Sequence, residues 1–146
     1  MCSKVVRKGI MKKTLLSAIV LCFVLTPAVA SAIEPTADVK VTPLIQTSES
    51  WNGDPIVYPQ GKAQLTGLLV EIPPGGKTGW HSHAVPSFAF VLEGVLEITL
   101  SDGKTKRLQA GEALAEVVNT LHNGRNAGDR PVKIAVFYAG VEGLAR

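Results

Sequence analysis

The sequence predicts an all-β domain, built as a sandwich or a closed barrel and preceded by a cleavable signal peptide. Short runs rich in valine, isoleucine, leucine, threonine and phenylalanine recur along the chain, and turn residues separate them. Helical periodicity is nearly absent beyond residue 32. The predicted strands cover residues 39–45, 64–72, 87–93, 95–100, 113–118 and 132–138. Strands at this spacing must pair or cover their edges, which a barrel or a two-sheet sandwich achieves.

Residues 1–32 have the pattern of a signal peptide. A basic stretch precedes an apolar run at 15–25, which has the length of a signal-peptide core and is too short to span a membrane. Small residues permit cleavage after Ala30 or, preferably, after Ala32, and the true start is either Met1 or Met11. The alternative interpretation is a buried or membrane-anchoring helix. We expect export to the periplasm or beyond, leaving a domain of residues 33–146 whose first part, 33–45, is an arm.

Removal of this segment changes the charge and the cysteine content. The segment carries five of the 15 basic residues and no acidic residue, so the mature chain has ten basic and twelve acidic residues and a formal charge of −2. The calculated basic isoelectric point therefore belongs to the export signal, and we expect neither nucleic-acid binding nor stable membrane association. Cys2 and Cys22 also leave with the segment, which excludes thiolate ligands, disulfides and a cysteine nucleophile.

Turn signals divide the predicted strands. The Pro-Pro-Gly-Gly run at 73–76 is a hard break, residues 101–104 read as a hairpin turn, and the Asn-Gly and Gly-Asp pairs at 123–124 and 128–129 indicate loops. Between 95 and 100, polar or β-branched residues alternate with leucine and isoleucine. This period of two predicts a strand with one buried face and one wet face.

The three histidines of the chain are the candidate metal ligands. His81 and His83 project from the same face if residues 79–84 are extended, so both imidazoles can meet one point in the interior. His122 follows the predicted strand at 113–118 after a short turn and can reach that point from a neighbouring strand. Imidazole is the commonest protein ligand for iron, nickel and zinc and also suits manganese, so we predict a divalent-metal site of unassigned identity.

From about residue 65 to residue 138, the chain resembles the cupin superfamily. The first cupin motif is a glycine, five intervening residues, His-x-His, a glutamate three or four residues later, and a second glycine after six more residues. Here these positions hold Gly75, His81, His83, Ser87 and Gly94. The second motif is represented by Gly111, Val117-Val118-Asn119, His122 and Asn126. The resemblance implies a single double-stranded β-helix, the jelly-roll barrel, with the histidines as metal ligands.

Two positions depart from the cupin pattern. Val117 and Asn119 replace the usual Pro-x-Gly turn, a mild change because asparagine tolerates left-handed backbone angles. Ser87 replaces the usual fourth ligand, a glutamate. Three neutral imidazoles leave a divalent ion with its full charge, which would make it better at acidifying bound water or attracting an anionic substrate.

Three further residues enter through the resemblance, and each has two interpretations. Ser87 either orients a metal-bound water or only leaves room. Glu116 acts as a remote fourth ligand or a catalytic general base, or else it is a solvated strand charge. Asn126 most simply ties strand and loop together, with a substrate contact as the alternative.

A partner is predicted from alternation on the strand at 87–93. If Ser87 faces the cavity, then Phe88, Phe90 and Leu92 face outward, where an isolated barrel would leave them in water. The N-terminal arm or a second subunit must then cover them. Because cupins commonly dimerise through their sheets, we expect a homodimer.

The favoured function is that of a metalloenzyme acting on a small molecule, with oxygenase, isomerase or lyase chemistry at the three-histidine site. The alternative is a non-catalytic periplasmic protein in which the same site captures a small ligand or a metal, and the third interpretation is a metal-free structural relic. A titratable group at the open side of the site would favour the enzyme. A cavity lined only by apolar side chains would favour binding.

Overall fold

The computed structural model describes residues 38–144, and the chain from Lys40 onward forms a compact all-β unit. Within the described residues there is no helix, and accordingly no helix long and apolar enough to cross a membrane. The predicted signal peptide, its cleavage site and most of the predicted arm lie outside this range. The described part of the arm, residues 38–45, is exposed and contains no strand.

In the described part of the chain, seven strands build two antiparallel sheets. They are β1 (Ala63–Ile72), β2 (Ser87–Glu93), β3 (Val95–Leu100), β4 (Thr105–Gln109), β5 (Ala113–Ala115), β6 (His122–Asn126) and β7 (Val132–Val141). The larger sheet has the order β1-β7-β2-β5, and the smaller has the order β4-β3-β6. The core contains buried aliphatic side chains of both sheets, among them Val91, Ile134 and Val136 of the larger sheet and Leu96 and Ile98 of the smaller.

Alternation sets the two faces of each sheet. On β2, Ser87, Ala89 and Val91 are buried, whereas Phe88 and Phe90 are only half-buried and Leu92 is exposed. On β3, Leu96, Ile98 and Leu100 are buried between half-buried neighbours. Both patterns confirm the period of two that the sequence predicts.

The predicted strand at 39–45 is wrong, and the one at 113–118 is too long. In the first segment valines alternate with polar residues, but Pro43 lacks an N–H and no neighbouring strand pairs with these residues in the described part of the chain. The second ends at Ala115 because the chain then turns. Asn119 adopts the left-handed conformation in this turn, with φ 51°, as expected for a residue that replaces glycine there.

Two strands were not predicted. Among the residues of β4 only Leu108 is buried, and β6 has the sequence His-Asn-Gly-Arg-Asn, which was interpreted as a loop around 123–124. That interpretation is wrong. Pairing with β3 on one side and with the segment at 77–81 on the other makes β6 a strand despite its low β propensity.

Gly94 joins β2 to β3 in a conformation that other residues rarely adopt. Its φ is 80°, and a Cβ at this position would lie 2.6 Å from the carbonyl oxygen of Pro131. The close approach brings the β2–β3 connection against the start of β7. The motif glycine is therefore needed for backbone geometry and has no chemistry of its own.

Candidate metal centre

The backbone brings His81 and His122 directly opposite each other. The amide of each donates to the carbonyl oxygen of the other, with both N···O distances 2.9 Å. The Thr78 amide donates to the Gly124 carbonyl oxygen across 2.8 Å, and the Gly124 amide donates to Oγ1 of Thr78 across 2.9 Å. The segment before β2 therefore runs antiparallel to β6, and directly opposed residues of such a pair project from the same face.

His83 joins the other two histidines by alternation. Trp80 and Ser82 are exposed, whereas His81 is half-buried and His83 is 8% exposed, so the two imidazoles share the inner face as predicted. The Asn119 amide donates to the His83 carbonyl oxygen across 2.7 Å and fixes this part of the loop. The ring centroids are 4.9 Å apart for His81 and His83, 4.4 Å for His81 and His122, and 5.0 Å for His83 and His122.

Backbone carbonyls orient two of the three rings. The Nδ1 atom of His81 lies 2.8 Å from the Gly79 carbonyl oxygen, and the Nδ1 atom of His122 lies 2.8 Å from that of Thr120. Because a carbonyl only accepts, each Nδ1 carries the proton, and each Nε2 presents its lone pair. This is the arrangement in which an imidazole serves as a metal ligand.

The protonation states also favour metal binding. Burial, followed by repulsion from His122 and His81, lowers the pKa of His83 to about 4. Burial also lowers the pKa of His122, against a raising effect of its hydrogen bond to Thr120. At neutral pH both rings are therefore uncharged, and their lone pairs need no proton removed before they bind a cation.

A cavity of about 80 Å³ adjoins the three rings. Its walls are mostly apolar, and they come from both sheets. The apolar lining residues are Val70, Ala89, Leu96, Ile98, Ile134 and Val136. The polar lining consists of the histidines, Thr78, Glu116 and Tyr138. The ring of Tyr138 lies edge-on to His83, with centroids 5.0 Å apart.

Glu116 is buried at the cavity, with 8% of the residue exposed. Its Oε2 atom lies 3.4 Å from Nε2 of His122 and has no hydrogen-bond partner, while the carboxyl accepts a hydrogen bond from the amide of Val117. Burial raises the pKa of Glu116 to about 7, with a smaller opposing effect of the Val117 amide. Since the pKa of His122 is lowered, the contact is not an ion pair at neutral pH. The interpretation of Glu116 as a solvated strand charge is wrong.

Ser87 is 1% exposed, and its hydroxyl has no hydrogen-bond partner among the described residues. It does not line the cavity, although Ala89, two residues further on the same face of β2, does. Its position agrees with the interpretation of a small residue that leaves room. Its carbonyl oxygen accepts a hydrogen bond of 2.9 Å from the amide of Glu116, so the two residues are neighbours across the β2–β5 edge.

Asn126 lies apart from the cavity and ties three segments together. Its Nδ2 donates to the carbonyl oxygens of Ile72 at 2.9 Å and Arg130 at 2.8 Å. Its Oδ1 accepts from the amide of Gly128 at 2.9 Å. These contacts use the side chain to hold the end of β1 and the β6–β7 loop, which supports the structural interpretation over a substrate contact.

Replacement of Asn126 by alanine is expected to destabilise the domain by about 2–4 kcal/mol, because it removes three hydrogen bonds that a buried side chain makes to backbone groups of Ile72, Gly128 and Arg130. Asn123→Ala is the matched control, since Asn123 lies half-buried on the same strand and makes one long side-chain contact, 3.4 Å to Thr78. It should cost less than about 1 kcal/mol. Urea denaturation measures both. Equal losses in the two variants would contradict the tying role of Asn126.

Tyr138 was not predicted from the sequence as a site residue. The structure places it in the cavity lining, where it is 8% exposed. Alternation along β7 contains the signal, because Ile134, Val136 and Tyr138 are spaced by two and all line the cavity.

The residues present fit a divalent ion. One ligand atom from each histidine lies within 4.8 Å of the others, so small side-chain adjustments bring all three to about 2.0–2.1 Å from a shared cation. The unpartnered oxygen of Glu116 beside them is a further sign, since a buried polar atom is normally paired. Three imidazole nitrogens suit several first-row ions, so the donor set leaves the identity of the metal open.

Comparison with known proteins gives a family match and several similar structures. Residues 68–138 match the family model described as a cupin domain. The crystal structure of BH2720 from Bacillus halodurans is 26% identical to this chain, with a TM-score of 0.50, over 56% of this chain and 66% of that one. DMSP lyase DddQ from Ruegeria pomeroyi is also 26% identical, with a TM-score of 0.49, over 56% of this chain and 41% of that one.

A smaller protein aligns over more of its length. A cupin domain from Bordetella pertussis is 22% identical, with a TM-score of 0.46, over 57% of this chain and 98% of that one. By contrast, the alignment spans less than two thirds of BH2720 and of the lyase. No curated protein sequence matches this chain significantly. The family-model match, the two-sheet fold and the histidine register together show that residues 68–138 of this chain form a domain of the cupin superfamily.

Proposed function

We propose that this protein is an exported metalloenzyme that holds a divalent ion with His81, His83 and His122 and acts on a small molecule. The single observation that carries the proposal is the convergence of three imidazoles on one cavity, beside a buried carboxyl group with one oxygen that has no hydrogen-bond partner. Export is proposed from the signal-peptide pattern of residues 1–32. We propose oxygenase, isomerase or lyase chemistry because a three-histidine centre leaves coordination positions open for a substrate.

Each part of the site has a separate task. A bound divalent ion would act as a Lewis acid toward substrate oxygens. His81 and His122 are held by backbone carbonyls, which keeps their Nε2 atoms directed inward without a conformational search. The aliphatic walls exclude bulk water and strengthen electrostatic interactions inside the cavity. The carboxyl group of Glu116 lines the cavity, within hydrogen-bonding range of a ligand bound there. Its presence supports catalysis over capture of a ligand without reaction.

The cavity limits the size of the reacting group. Its volume of about 80 Å³ is well below the roughly 300–1,000 Å³ of sites that enclose drug-sized ligands. We therefore propose a substrate that is itself very small, or one that inserts only its reactive oxygen-bearing end past His81, the most exposed of the three histidines.

One observation favours a second function. Apart from Glu116, Thr78, Tyr138 and the histidines, the cavity walls are apolar, as in a site that captures a ligand without transforming it. A periplasmic metal- or ligand-binding protein would need no further catalytic group. Incubation of the metal-loaded protein with small carboxylates, thiols and diketones separates the two functions, because mass spectrometry detects a new product only from an enzyme.

Elemental analysis tests the metal site directly. Protein purified from the full chain without chelators or a histidine tag should contain a stoichiometric divalent metal, because three imidazoles converge on one point. His81→Ala should lose nearly all of it. Ser82→Ala is the control, since Ser82 is exposed between the two motif histidines and should retain the wild-type content. A substoichiometric signal that is the same in all three proteins would end both the enzyme and the metal-binding proposals.

We also propose that the protein is a homodimer. The outer face of the larger sheet carries apolar side chains along three adjacent strands. On β1 and β7, Leu65 is 70% exposed, Leu69 is 62% exposed and Phe137 is 48% exposed. Phe88 and Phe90 of β2 continue the same face. A contiguous apolar surface of this kind is typical of an interaction site.

A further inference from the structure

The first cupin motif of this chain lacks its carboxylate, yet the cavity contains one. Ser87 occupies the motif position, and a serine hydroxyl supplies no negative charge. Among the residues that the structure describes, Glu116 is the buried acidic residue and the acidic residue that lines the cavity. It does not come from the motif strand β2. It follows β5, on the strand edge that pairs with β2.

The two positions are structurally adjacent. The amide of Glu116 donates to the carbonyl oxygen of Ser87 across 2.9 Å, so the backbone of one residue is bonded to that of the other. The side chain of Glu116 then reaches one of the three histidines, with Oε2 3.4 Å from Nε2 of His122. A carboxylate at 116 therefore approaches the same centre from the neighbouring strand.

A carboxylate at position 116 would balance part of the charge of the bound ion. A divalent ion held by three neutral imidazoles keeps its full charge inside a cavity with mostly aliphatic walls, where an unbalanced charge is costly. A carboxylate ligand cancels half of that charge. Within the described residues no other acidic side chain lines the cavity. Moreover, a purely structural carboxyl would be expected to have both oxygens paired, whereas Oε2 has no partner.

We propose that Glu116 is the fourth protein ligand of the metal. It supplies the carboxylate that is missing from the motif position occupied here by Ser87. The centre is then a three-histidine, one-carboxylate site. Its carboxylate comes from the residue after β5 and not from the motif position on β2. This inference rests on the proposed metal site and adds the ligand that balances its charge. The added oxygen ligand also favours harder ions such as manganese and iron relative to a purely imidazole site.

Metal affinity tests the proposal without an activity assay. Glu116→Gln keeps the shape of the side chain and removes the charge, and we expect it to weaken binding of Mn(II) and Zn(II) by at least roughly 10- to 100-fold in competition with a chelating dye. Glu112→Gln is the matched control, because Glu112 is exposed and does not line the cavity. It should leave both affinities within about 2-fold, because a surface charge is screened by solvent.

A double variant that exchanges the two residues, together with a visible absorption spectrum, completes the test. The double variant Ser87→Glu with Glu116→Ser returns the carboxylate to the motif position and should recover most of the lost affinity. In the Co(II)-loaded protein, Glu116→Gln should change the visible ligand-field bands, which a purely structural role would leave unchanged. Unaltered affinity and unaltered bands in Glu116→Gln would overturn the ligand role while leaving the three-histidine site intact. Absence of metal binding by the wild-type protein would overturn the proposed function itself.

Discussion

Addition of Zn(II) or Mn(II) to the metal-free protein is expected to raise its melting temperature by roughly 15 °C when the free ion is about 1,000-fold above its dissociation constant. An ion that binds only the folded state stabilises it by about 4 kcal/mol under these conditions. His81, His83 and His122 come from two separated stretches of the chain, so the unfolded chain offers no comparable site. The stabilisation should therefore appear almost in full.

Variants at the histidines separate this effect from ordinary stability changes. His122 is 3% exposed and bonded to Thr120, so His122→Ala lowers the starting melting temperature as well as removing a ligand. His81 is half-buried, so His81→Ala isolates the loss of the ligand better. Differential scanning calorimetry should show that the increment on adding metal nearly disappears in both variants and persists in Ser82→Ala. An increment that survives in His81→Ala would place the bound ion elsewhere on the chain.

The histidine cluster was predictable because local rules determine it. The His-x-His spacing puts two rings on one face of any extended segment, and the structure confirms that Trp80 and Ser82 point away. Strands with buried aliphatic residues at alternate positions, β2 and β3, were predicted with their observed bounds. In these segments side-chain chemistry and backbone conformation agree.

The remainder depends on pairing that a single segment does not encode. The residues of β6 have little β propensity, and they form a strand because β3 and the segment at 77–81 both bond to it. The inward direction of Glu116 depends on where the turn at Asn119 begins and on the bond to Ser87. Neither the start of the turn nor this hydrogen bond could be predicted from the alternation of buried residues along a strand, because β5 ends one residue before Glu116.

The outer face of the larger sheet has the composition of a subunit interface. Its apolar centre is formed by Leu65, Leu69, Phe137 and the two phenylalanines of β2. Toward one end lies a charged group, where Lys133 is 3.1 Å from Glu93. An apolar centre with a polar rim is the arrangement found in protein–protein interfaces. A second copy would cover the face while leaving the opposite, cavity-lining face of the same strands unchanged.

Leu69→Lys is therefore expected to convert a dimer into a monomer. A lysine in the middle of a closed interface would bury an unpaired charge, whereas in the monomer this position is 62% exposed and tolerates the change. Leu121→Lys is the matched control, because Leu121 is 46% exposed, lies before β6 on the smaller sheet, and should remain dimeric. Sedimentation equilibrium over a range of concentrations distinguishes the states, with circular dichroism to verify folding. A monomeric wild-type protein at tens of micromolar, or dissociation caused by Leu121→Lys alone, would exclude this face as the dimer interface.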